Sequence, residues 1–521
     1  MEEAAPAPAP GHVVSQALSE LSSCLERSIL IPRTPAGYAE LFQAVVVWTA
    51  PGEDPVSQQK TPDRASAAVK AIISVLNALK ATSRDKRTTS STAGAGSAPL
   101  EMPGDLLLNK EVQLLSGKGN VPESPVTVAS KPNKETACSS SGSTLDSSEV
   151  GSVDVSRVLT CVTAPLLLLC GAHLQKKPWT DSRSRSLAEQ LLQTLLRMSE
   201  CESVDDLLKG PNRQEPDYVI FREALGLLGP RLRKDTWESH PEAKIVFSWM
   251  LYQVPRPWLA DFLGRVMPPS LLFSDDYKPE NKVLGVQCLH HIIKNVPAAD
   301  LRQYNRAMVV YHALRNHLYT TEVEVIEVVL PCLLDLFPVL HKPPPAVGSF
   351  QKDGENPSDQ VMQLILTHME MEHKIALRRL YACNLPALQE RLGVRVVRHM
   401  KRLLRVIVGY LEVYDGPEET TRLCILDTLQ GTIKYAWPRI LPRLPLLVKA
   451  LLKLMYEVSA DPGQHSELVR EALLHSATEC LMLLEYCSKG QVKIALEGIA
   501  TICKDHDMKK YINRVLQDAH Q

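Results

Sequence analysis

The sequence predicts an all-α protein, an α-solenoid of HEAT- or armadillo-like helical repeats, from three observations. First, the stretches that begin at Glu419 and Glu467 carry one pattern at an offset of 48 residues, which aligns Arg422 with Arg470. Second, a helix-like apolar run over 438–458 lies between them, and paired helices repeating every ~40–47 residues are typical of such arrays. Third, aromatic residues make up only 5% of a chain rich in Leu and Val, which favours helix-on-helix packing over a β-sandwich.

The totals limit both the architecture and the classes of function. A chain of 521 residues exceeds the ~250–300 at which a single core stops growing, so an extended array or several domains is expected. A net charge of -1 gives no global basic field, which argues against a dedicated nucleic-acid binder. The 12 cysteines include no CxxC pair and often lie in apolar runs, which indicates reduced thiols and a cytoplasmic and nuclear protein.

The N-terminal part divides by composition into three segments. Residues 1–11 are acidic and proline-rich, which predicts a disordered N-terminus and no signal peptide. Residues 12–82 predict an N-terminal helical segment whose helices are separated by prolines: Val13–Leu30, Tyr38–Trp48 and Arg64–Leu79. Residues 83–154 are rich in Ser, Thr and Gly and predict a disordered linker, either a plain tether or a carrier of phosphorylation sites such as Ser143.

Residues 155–521 are predicted to form the solenoid, with one loop insertion at 341–359 that is rich in Pro, Gly and Asp. The apolar run Val158–Cys170 is too short to span a bilayer, so a soluble protein is expected. Apolar residues three and four apart predict these helices: Leu187–Met198, Val219–Leu228, Ala243–Tyr252, Trp258–Val266, Lys282–Val296, Leu301–Leu318, Glu322–Leu340, Gln360–Tyr381 and Val394–Tyr414. The repeat register is clear near 282, 422 and 470 and cannot be aligned upstream of 270.

Motifs for catalysis, nucleotide binding or metal binding are missing from the sequence. It contains no GxGxxG, GxxxxGK[ST], GxSxG or HExxH pattern. His368 and His373 are five residues apart, which places them on different faces of a helix, whereas zinc helices space their ligands by four. We therefore expect no enzyme activity, no cofactor and no metal site.

An arginine-rich helix face is the strongest candidate for a binding surface. Along the predicted helix Val394–Tyr414, one apolar stripe is opposed by arginines within a sector of ~80°. These arginines are Arg391, Arg395, Arg398, Arg402 and Arg405. The sequence leaves three alternatives: a solvated face neutralised by acids of the next repeat, a site for an acidic peptide or helix, or a nucleic-acid site. No aromatic residue interleaves the arginines, as a single-strand binder would require.

A second block, PRPWLADFLGRVMPPSLLFSDDYKPENKVLGVQCLHHII, combines a Trp–Leu helix, a proline break, an Asp-Asp turn and a glycine-containing helix. The acids are expected to cap the helix that begins near Pro279, because negative charge is favourable at a helix N-terminus. The block resembles the signature of the second Tel-two-interacting protein family, a subunit of the TTT co-chaperone complex. The residues that carry the resemblance are Trp258, Asp275, Asp276, Pro279, Lys282 and Gly285, and the likeness extends over about 215–515.

The resemblance implies a non-catalytic α-solenoid that acts as a scaffold or adaptor. Its partners would be the two other TTT subunits, which are large helical-repeat proteins, and indirectly a heat-shock chaperone and the PIKK kinases of DNA-damage response, nutrient signalling and telomere maintenance. No direct nucleic-acid or membrane contact is expected. The alternative on the same fold is a karyopherin-like transport adaptor, which would bind a small GTPase or a localisation peptide.

Overall fold

The computed structural model describes residues 35–52, 55–91, 155–210, 218–340, 356–460, 463, 465–503 and 505–518, and the regular structure of these residues is helical with no strand. The N-terminal helices are α1 Pro35–Thr49, α2 Pro55–Ser91, α3 Val155–His173, α4 Ser182–Met198, α5 Val204–Lys209, α6 Val219–Leu228, α7 Pro241–Leu251, α8 Leu263–Ser274, α9 Pro279–Asn295 and α10 Ala298–Arg302. The C-terminal helices are α11 Arg306–His317, α12 Val323–Leu340, α13 Pro357–Met371, α14 Ile375–Leu392, α15 Met400–Leu411, α16 Thr420–Ile440, α17 Leu444–Ala460, α18 Glu467–Ser488, α19 Gln491–Ile502 and α20 His506–Asp518.

From α8 onward the helices form successive hairpins that stack into an array. The second helices of the hairpins pack side by side in one layer, in the order α9, α12, α14, α16, α18 and α20. The first helices lie on the other side of the core, where α13 contacts α15 and α15 contacts α17. Each helix buries an apolar stripe between its neighbours, which makes one continuous core along the array. The predicted all-α solenoid of helical repeats is confirmed.

The aligned arginines of the sequence repeat occupy equivalent places in the fold. Arg422 lies in the first turn of α16, with its Nη1 2.9 Å from the Glu419 carboxylate. Arg470 lies in the first turn of α18, with its Nη2 2.8 Å from Glu467. Each arginine also pairs with an acid of a later helix, Glu457 for the first and Asp507 for the second. The helix predicted over 438–458 is shifted, because α16 continues to Ile440 and α17 begins at Leu444.

Other predicted boundaries differ from the structure for local reasons. The predicted helix Gln360–Tyr381 is two helices, α13 and α14. The break falls at Glu372, whose side-chain Oε1 accepts hydrogen bonds from the backbone amides of His373 (2.9 Å) and Lys374 (2.8 Å). This carboxylate pairs the two amides of the short segment between the helices, which holds the turn from α13 to α14.

The predicted domain boundaries are met only in part by the described residues. Helix α2 runs to Ser91, past the boundary predicted at residue 82. Helix α13 begins at Pro357, inside the loop insertion predicted over 341–359. Residues 1–11, the predicted helix Val13–Leu30 and the linker from residue 92 onward lie outside the described residues, as does 341–355.

Helix α3 is longer than the apolar run that predicted it. It spans 19 residues, so by length and composition it could cross a bilayer, and the expectation that this part of the chain is too short to do so was wrong. Most of its surface is instead covered by α1, α4, α6 and α7, and the apolar side chains from Leu166 to Leu169 are buried. This helix is therefore a central core element of the N-terminal part of the fold.

Candidate interaction surface

The five arginines predicted to share one helix face lie on three different elements. Arg391 is in the last turn of α14, and a 3₁₀ segment, Gly393–His399, carries Arg395 and Arg398. Arg402 and Arg405 are in α15. The predicted single helix Val394–Tyr414 is therefore wrong, since Gly393 ends α14 at a positive φ of 54° and a 3₁₀ segment turns faster than 100° per residue. The five side chains are near one another in sequence, but they do not form the calculated 80° sector.

Four of these arginines face two acids of the preceding hairpin. Asp359 of α13 lies 3.3 Å from Nη1 of Arg398 and 3.8 Å from Nη1 of Arg395. Glu370, three turns further along α13, accepts from Nε and Nη2 of Arg402 and lies 3.8 Å from Arg405. The bidentate contact from Arg402 holds the pKa of the Glu370 carboxyl below its ordinary value. Asp359 and Glu370 therefore pair with four of the arginines from the preceding hairpin.

The acids come from the preceding repeat, whereas the sequence-based alternative placed them in the next one. The predicted loop insertion included Asp359. In the structure Asp359 is the third residue of α13, so its side chain lies on a helix of the preceding repeat. Its other oxygen lies 2.8 Å from Nε2 of the buried His399, which anchors the 3₁₀ segment to α13. Sequence reasoning missed Asp359 and Glu370 as partners. Their spacing of eleven residues, which places both on one helix face, was the signal available.

The opposite face of α15 is apolar and buried, as predicted. Leu404, Ile407 and Leu411 lie in the core, and Met400 is almost fully covered. The hydroxyl of Tyr410 donates to the backbone oxygen of Met369 at 3.1 Å, which joins α15 to α13. The arginine surface is therefore mounted on a helix whose orientation is fixed by its neighbours.

The C-terminal hairpins also expose several large apolar side chains. Trp437 in α16 is 56% exposed and Tyr486 in α18 is 87% exposed. Ile494 and Ile502 of α19 also face solvent. Tyr, Trp and Arg are the residue types enriched at the energetic centres of protein–protein interfaces. Together with the arginine surface, these side chains form the candidate interaction surface.

The signature block forms the tight crossing between α8 and α9. Gly285 of α9 lies against the end of α8, where a Cβ atom would come within 2.2 Å of the Ser274 backbone nitrogen. No side chain fits at that distance, so glycine is required for the two helices to approach this closely. The Ser274 hydroxyl is also 2.7 Å from Nε2 of His317 in α11, which extends the contact to the next hairpin.

Asp276 organises the turn between these helices. Its Oδ2 accepts from the Asn281 side chain at 2.5 Å and from the Lys278 backbone amide at 3.4 Å. The Asn281 oxygen in turn accepts from Lys244 of α7 at 2.7 Å. The N-cap of α9, Lys278, has no side-chain cap, so the expected capping of α9 by the acids is not found, and Asp276 is engaged in a structural network instead. Asp275 follows the last residue of α8, and its side chain is exposed.

The other residues of the signature block lie at the start of a helix or within one. Pro279 is the first residue of α9, as predicted, and Lys282 is half-buried in its first turn. Trp258 begins a 3₁₀ segment and packs at 6.2 Å from the buried ring of Tyr218. Pro268 and Pro269 lie inside α8 and do not interrupt it, so the predicted proline break was wrong.

The two histidines considered as metal ligands, His368 and His373, lie apart in the structure. His368 stacks on the Tyr381 ring at 6.0 Å, and burial lowers its pKa. His373 lies beyond the end of α13, so the two histidines do not share a helix at all. Across the residues that the structure describes, no group of three or more His, Cys, Asp or Glu side chains is placed to hold a metal ion.

A small cavity between α1, α3 and α7 contains two buried ionisable side chains, His173 and Glu242. Burial lowers the pKa of His173 to about 4 and raises the pKa of Glu242 to about 7. Arg231 lies 3.4 Å from Glu242 and partly opposes that rise in pKa. Burial is the largest cause of both pKa changes.

Comparison with solved structures gives distant helical-repeat proteins. A structure of Kap95p with RanGDP has a TM-score of 0.47 and 12% sequence identity, and covers 68% of this chain and 39% of that one. A structure of importin beta has a TM-score of 0.47 and 13% identity, and covers 92% of this chain and 46% of that one.

Sequence comparison gives much closer relatives. TELO2-interacting protein 2 of Homo sapiens is 52% identical over 359 residues, which are 68% of this chain and 70% of the human protein. The protein of that name from Mus musculus is 51% identical over 356 residues, 68% of this chain and 69% of the mouse protein. Residues 223–416, from α6 to just beyond α15, match the model of the Tti2 family. The resemblance carried by the signature block is confirmed, and the chain belongs to the Tti2 family.

Proposed function

We propose that this chain is a non-catalytic scaffold subunit of a TTT co-chaperone complex and binds TELO2 together with a further helical-repeat subunit. The observation that carries the proposal is the identity of about half the residues with TELO2-interacting protein 2 of Homo sapiens over 68% of this chain. The all-helical array supports it, because stacked repeats provide a long surface on which partner helices can lie. The complex would support the assembly and stability of PIKK kinases in the cytoplasm and nucleus.

The arginine surface and the exposed apolar side chains of α16, α18 and α19 form the contact area in this proposal. The side chains of Arg398 and Arg405 are more than half exposed, so their guanidiniums can offer hydrogen bonds to an acidic partner segment. Exposed Trp437 and Tyr486 can bury apolar area beside them. A partner with an acidic, partly apolar helix fits both features.

Co-purification of the full chain tests the proposed assembly. The tagged chain is expressed in cells, and the bound proteins are identified and their stoichiometry measured by mass spectrometry. Recovery of TELO2 and one further helical-repeat protein near one-to-one stoichiometry, with PIKK kinases or chaperone in smaller amounts, is the expected result. Recovery of a small GTPase with nuclear cargo, without TELO2, would contradict the proposal and favour a transport adaptor.

Charge reversal tests the contact area separately from the assembly. Arg398→Glu with Arg405→Glu is the chosen pair, because Arg402 is engaged in the bidentate contact with Glu370. We expect about tenfold weaker binding to the purified partner complex, measured by titration at fixed ionic strength. A smaller effect at high salt is expected because exposed charges are screened.

The matched control reverses two exposed cations of the N-terminal part, Arg233→Glu with Lys234→Glu. This control changes the net charge equally and should leave the affinity unchanged. Melting temperatures of both double variants, measured beside that of the parent protein, separate a loss of binding from a loss of folding. Equal affinities for the two double variants would remove the arginine surface from the proposed contact area, even if the assembly itself is recovered.

A further inference from the structure

Two cysteines of neighbouring hairpins lie in direct contact on the surface of the array. Cys383 of α14 and Cys424 of α16 place their sulfur atoms 2.9 Å apart. Cys383 is exposed and Cys424 is half-buried, so small reagents can reach the pair. A disulfide bond has an S–S length of about 2.05 Å, so the two sulfurs would need to approach by only about 0.9 Å.

Contacts on both sides hold the two helices in this register. Toward the start of α14, the Arg379 guanidinium donates to both oxygens of the Asp415 carboxylate at 3.1 Å. Asp415 also accepts from the backbone amide of Thr421 at the start of α16. Toward the other end, the buried Gln389 amide donates to the hydroxyl of Thr432 at 2.6 Å. The cysteines lie between two fixed points, so their contact belongs to the packed interface.

The two thiols differ in acidity. The hydrogen bond with Cys424 lowers the pKa of Cys383, although burial and the nearby Asp415 carboxylate oppose this change. The same hydrogen bond, together with burial, raises the pKa of Cys424. Cys383 is therefore the thiol that ionises first, and an exposed thiolate is the form that reacts with oxidants.

We propose that Cys383 and Cys424 are a site of reversible oxidation, at which a peroxide converts the two thiols to an inter-repeat disulfide. The Cys383 thiolate attacks one peroxide oxygen, the O–O bond breaks, and the leaving hydroxide takes a proton to become water. The Cys424 sulfur then attacks the Cys383 sulfenic acid, and the second water leaves with the thiol proton. Both sulfurs are oxidised to the disulfide, and one hydrogen peroxide is reduced to two waters.

The disulfide would join α14 to α16 and enclose α15 in a covalent ring. The arginine surface lies on α15 and the segment before it, so oxidation would fasten the hairpin that carries it to its neighbour. Cys487, another half-buried cysteine, provides a comparison of thiol acidity. Burial raises the pKa of Cys487 in α18, which makes it a weaker nucleophile than Cys383.

Peptide mapping of the full chain after treatment with hydrogen peroxide tests the proposal. We expect one cross-linked species that joins the peptides of Cys383 and Cys424, with both thiols lost from a free-thiol titration and restored by a reductant. C383S and C424S should each abolish the cross-link, whereas the matched control C487S should retain it. Oxidation of Cys383 to sulfinic acid without a cross-link, or a cross-link to another cysteine, would overturn the proposal.

Trapping of the intermediate tests the order of the steps. In C424S, a cyclic 1,3-diketone should label the sulfenic acid at Cys383, because no thiol remains to displace it. In C383S, the same reagent should give at least about tenfold less label at Cys424. Equal labelling of the two variants would overturn the assignment of Cys383 as the attacking thiol. The exposed and half-buried positions of the two side chains allow both serine variants to fold.

Discussion

The N-terminal helices and the C-terminal hairpins bury ionisable side chains in different ways. In the N-terminal part, burial moves the pKa values of His173 and Glu242 toward their neutral forms. In the C-terminal hairpins, Glu419, Arg422 and His465 are equally buried but hydrogen-bonded to one another. The N-terminal helices also approach one another closely, as where Gly285 of α9 lies against the backbone of Ser274. The stability of the two regions should therefore respond differently to substitution and to pH.

Removal of Arg422 should have the largest effect. Its side chain is 4% exposed and Glu419 is 0% exposed, so Arg422→Ala leaves a buried carboxylate without its cation. The expected loss is about 3–5 kcal/mol in the free energy of unfolding, measured by denaturant titration. The matched control is Arg470→Ala at the aligned position, where Arg470 is 15% and Glu467 65% exposed.

We expect the control to lose about 1 kcal/mol or less, because exposed ion pairs contribute little. Equal losses for the two variants would show that the buried ion pair of Arg422 contributes no more to stability than the exposed pair of Arg470. That result would contradict the role given to buried ion pairs in the C-terminal hairpins.

Gly285→Ala should have the next largest effect. The added Cβ would meet the backbone of Ser274 in α8, which cannot move aside as a flexible side chain can. The crossing of α8 and α9 must open, at an expected cost of about 3 kcal/mol in unfolding free energy. The measurement is thermal unfolding of the purified variant beside Gly409→Ala.

Gly409 lies inside α15 with nothing within 4 Å of its added Cβ. That control should gain about 0.5–1 kcal/mol, since alanine favours the helix. A stable Gly285→Ala protein would contradict the assigned role of close shape at this crossing.

Glu242→Gln should have a smaller effect that depends on pH. The pKa of Glu242 is about 7 in the folded chain and 4.5 in the ordinary case, so the folded state holds the proton more tightly. Its contribution to stability is present below pH 4.5 and is lost as pH rises through 7. Glutamine cannot ionise, so the variant should gain about 2 kcal/mol relative to the parent between about pH 5 and 7.

His173 acts in the opposite direction in the same cavity. Its pKa falls from 6.5 to about 4, so its contribution to stability is lost as pH falls through that range. The difference between Glu242→Gln and the parent isolates the carboxyl, because His173 is common to both. A difference that does not change with pH would show that Glu242 is ionised in the folded chain.

The sequence predicted the helical repeats because their signal is local. The alignment of Arg422 with Arg470 lies within single helices, and the structure places both in first turns. The pairing of the arginine surface with Asp359 and Glu370 could not be predicted, since it joins residues more than thirty positions apart. The break at Glu372 was missed for another reason, because the extended backbone at Glu372 ends α13 without changing the apolar pattern.

Hydrogen–deuterium exchange of the full chain, with and without purified TELO2-containing complex, tests the proposed contact area most directly. The account predicts slower exchange in 391–405 and in α16, α18 and α19, with no change around the α8–α9 crossing. Arg398→Glu with Arg405→Glu should remove the protection in 391–405. Protection confined to the N-terminal helices α1–α7 would contradict the account and place the partner on the other end of the molecule.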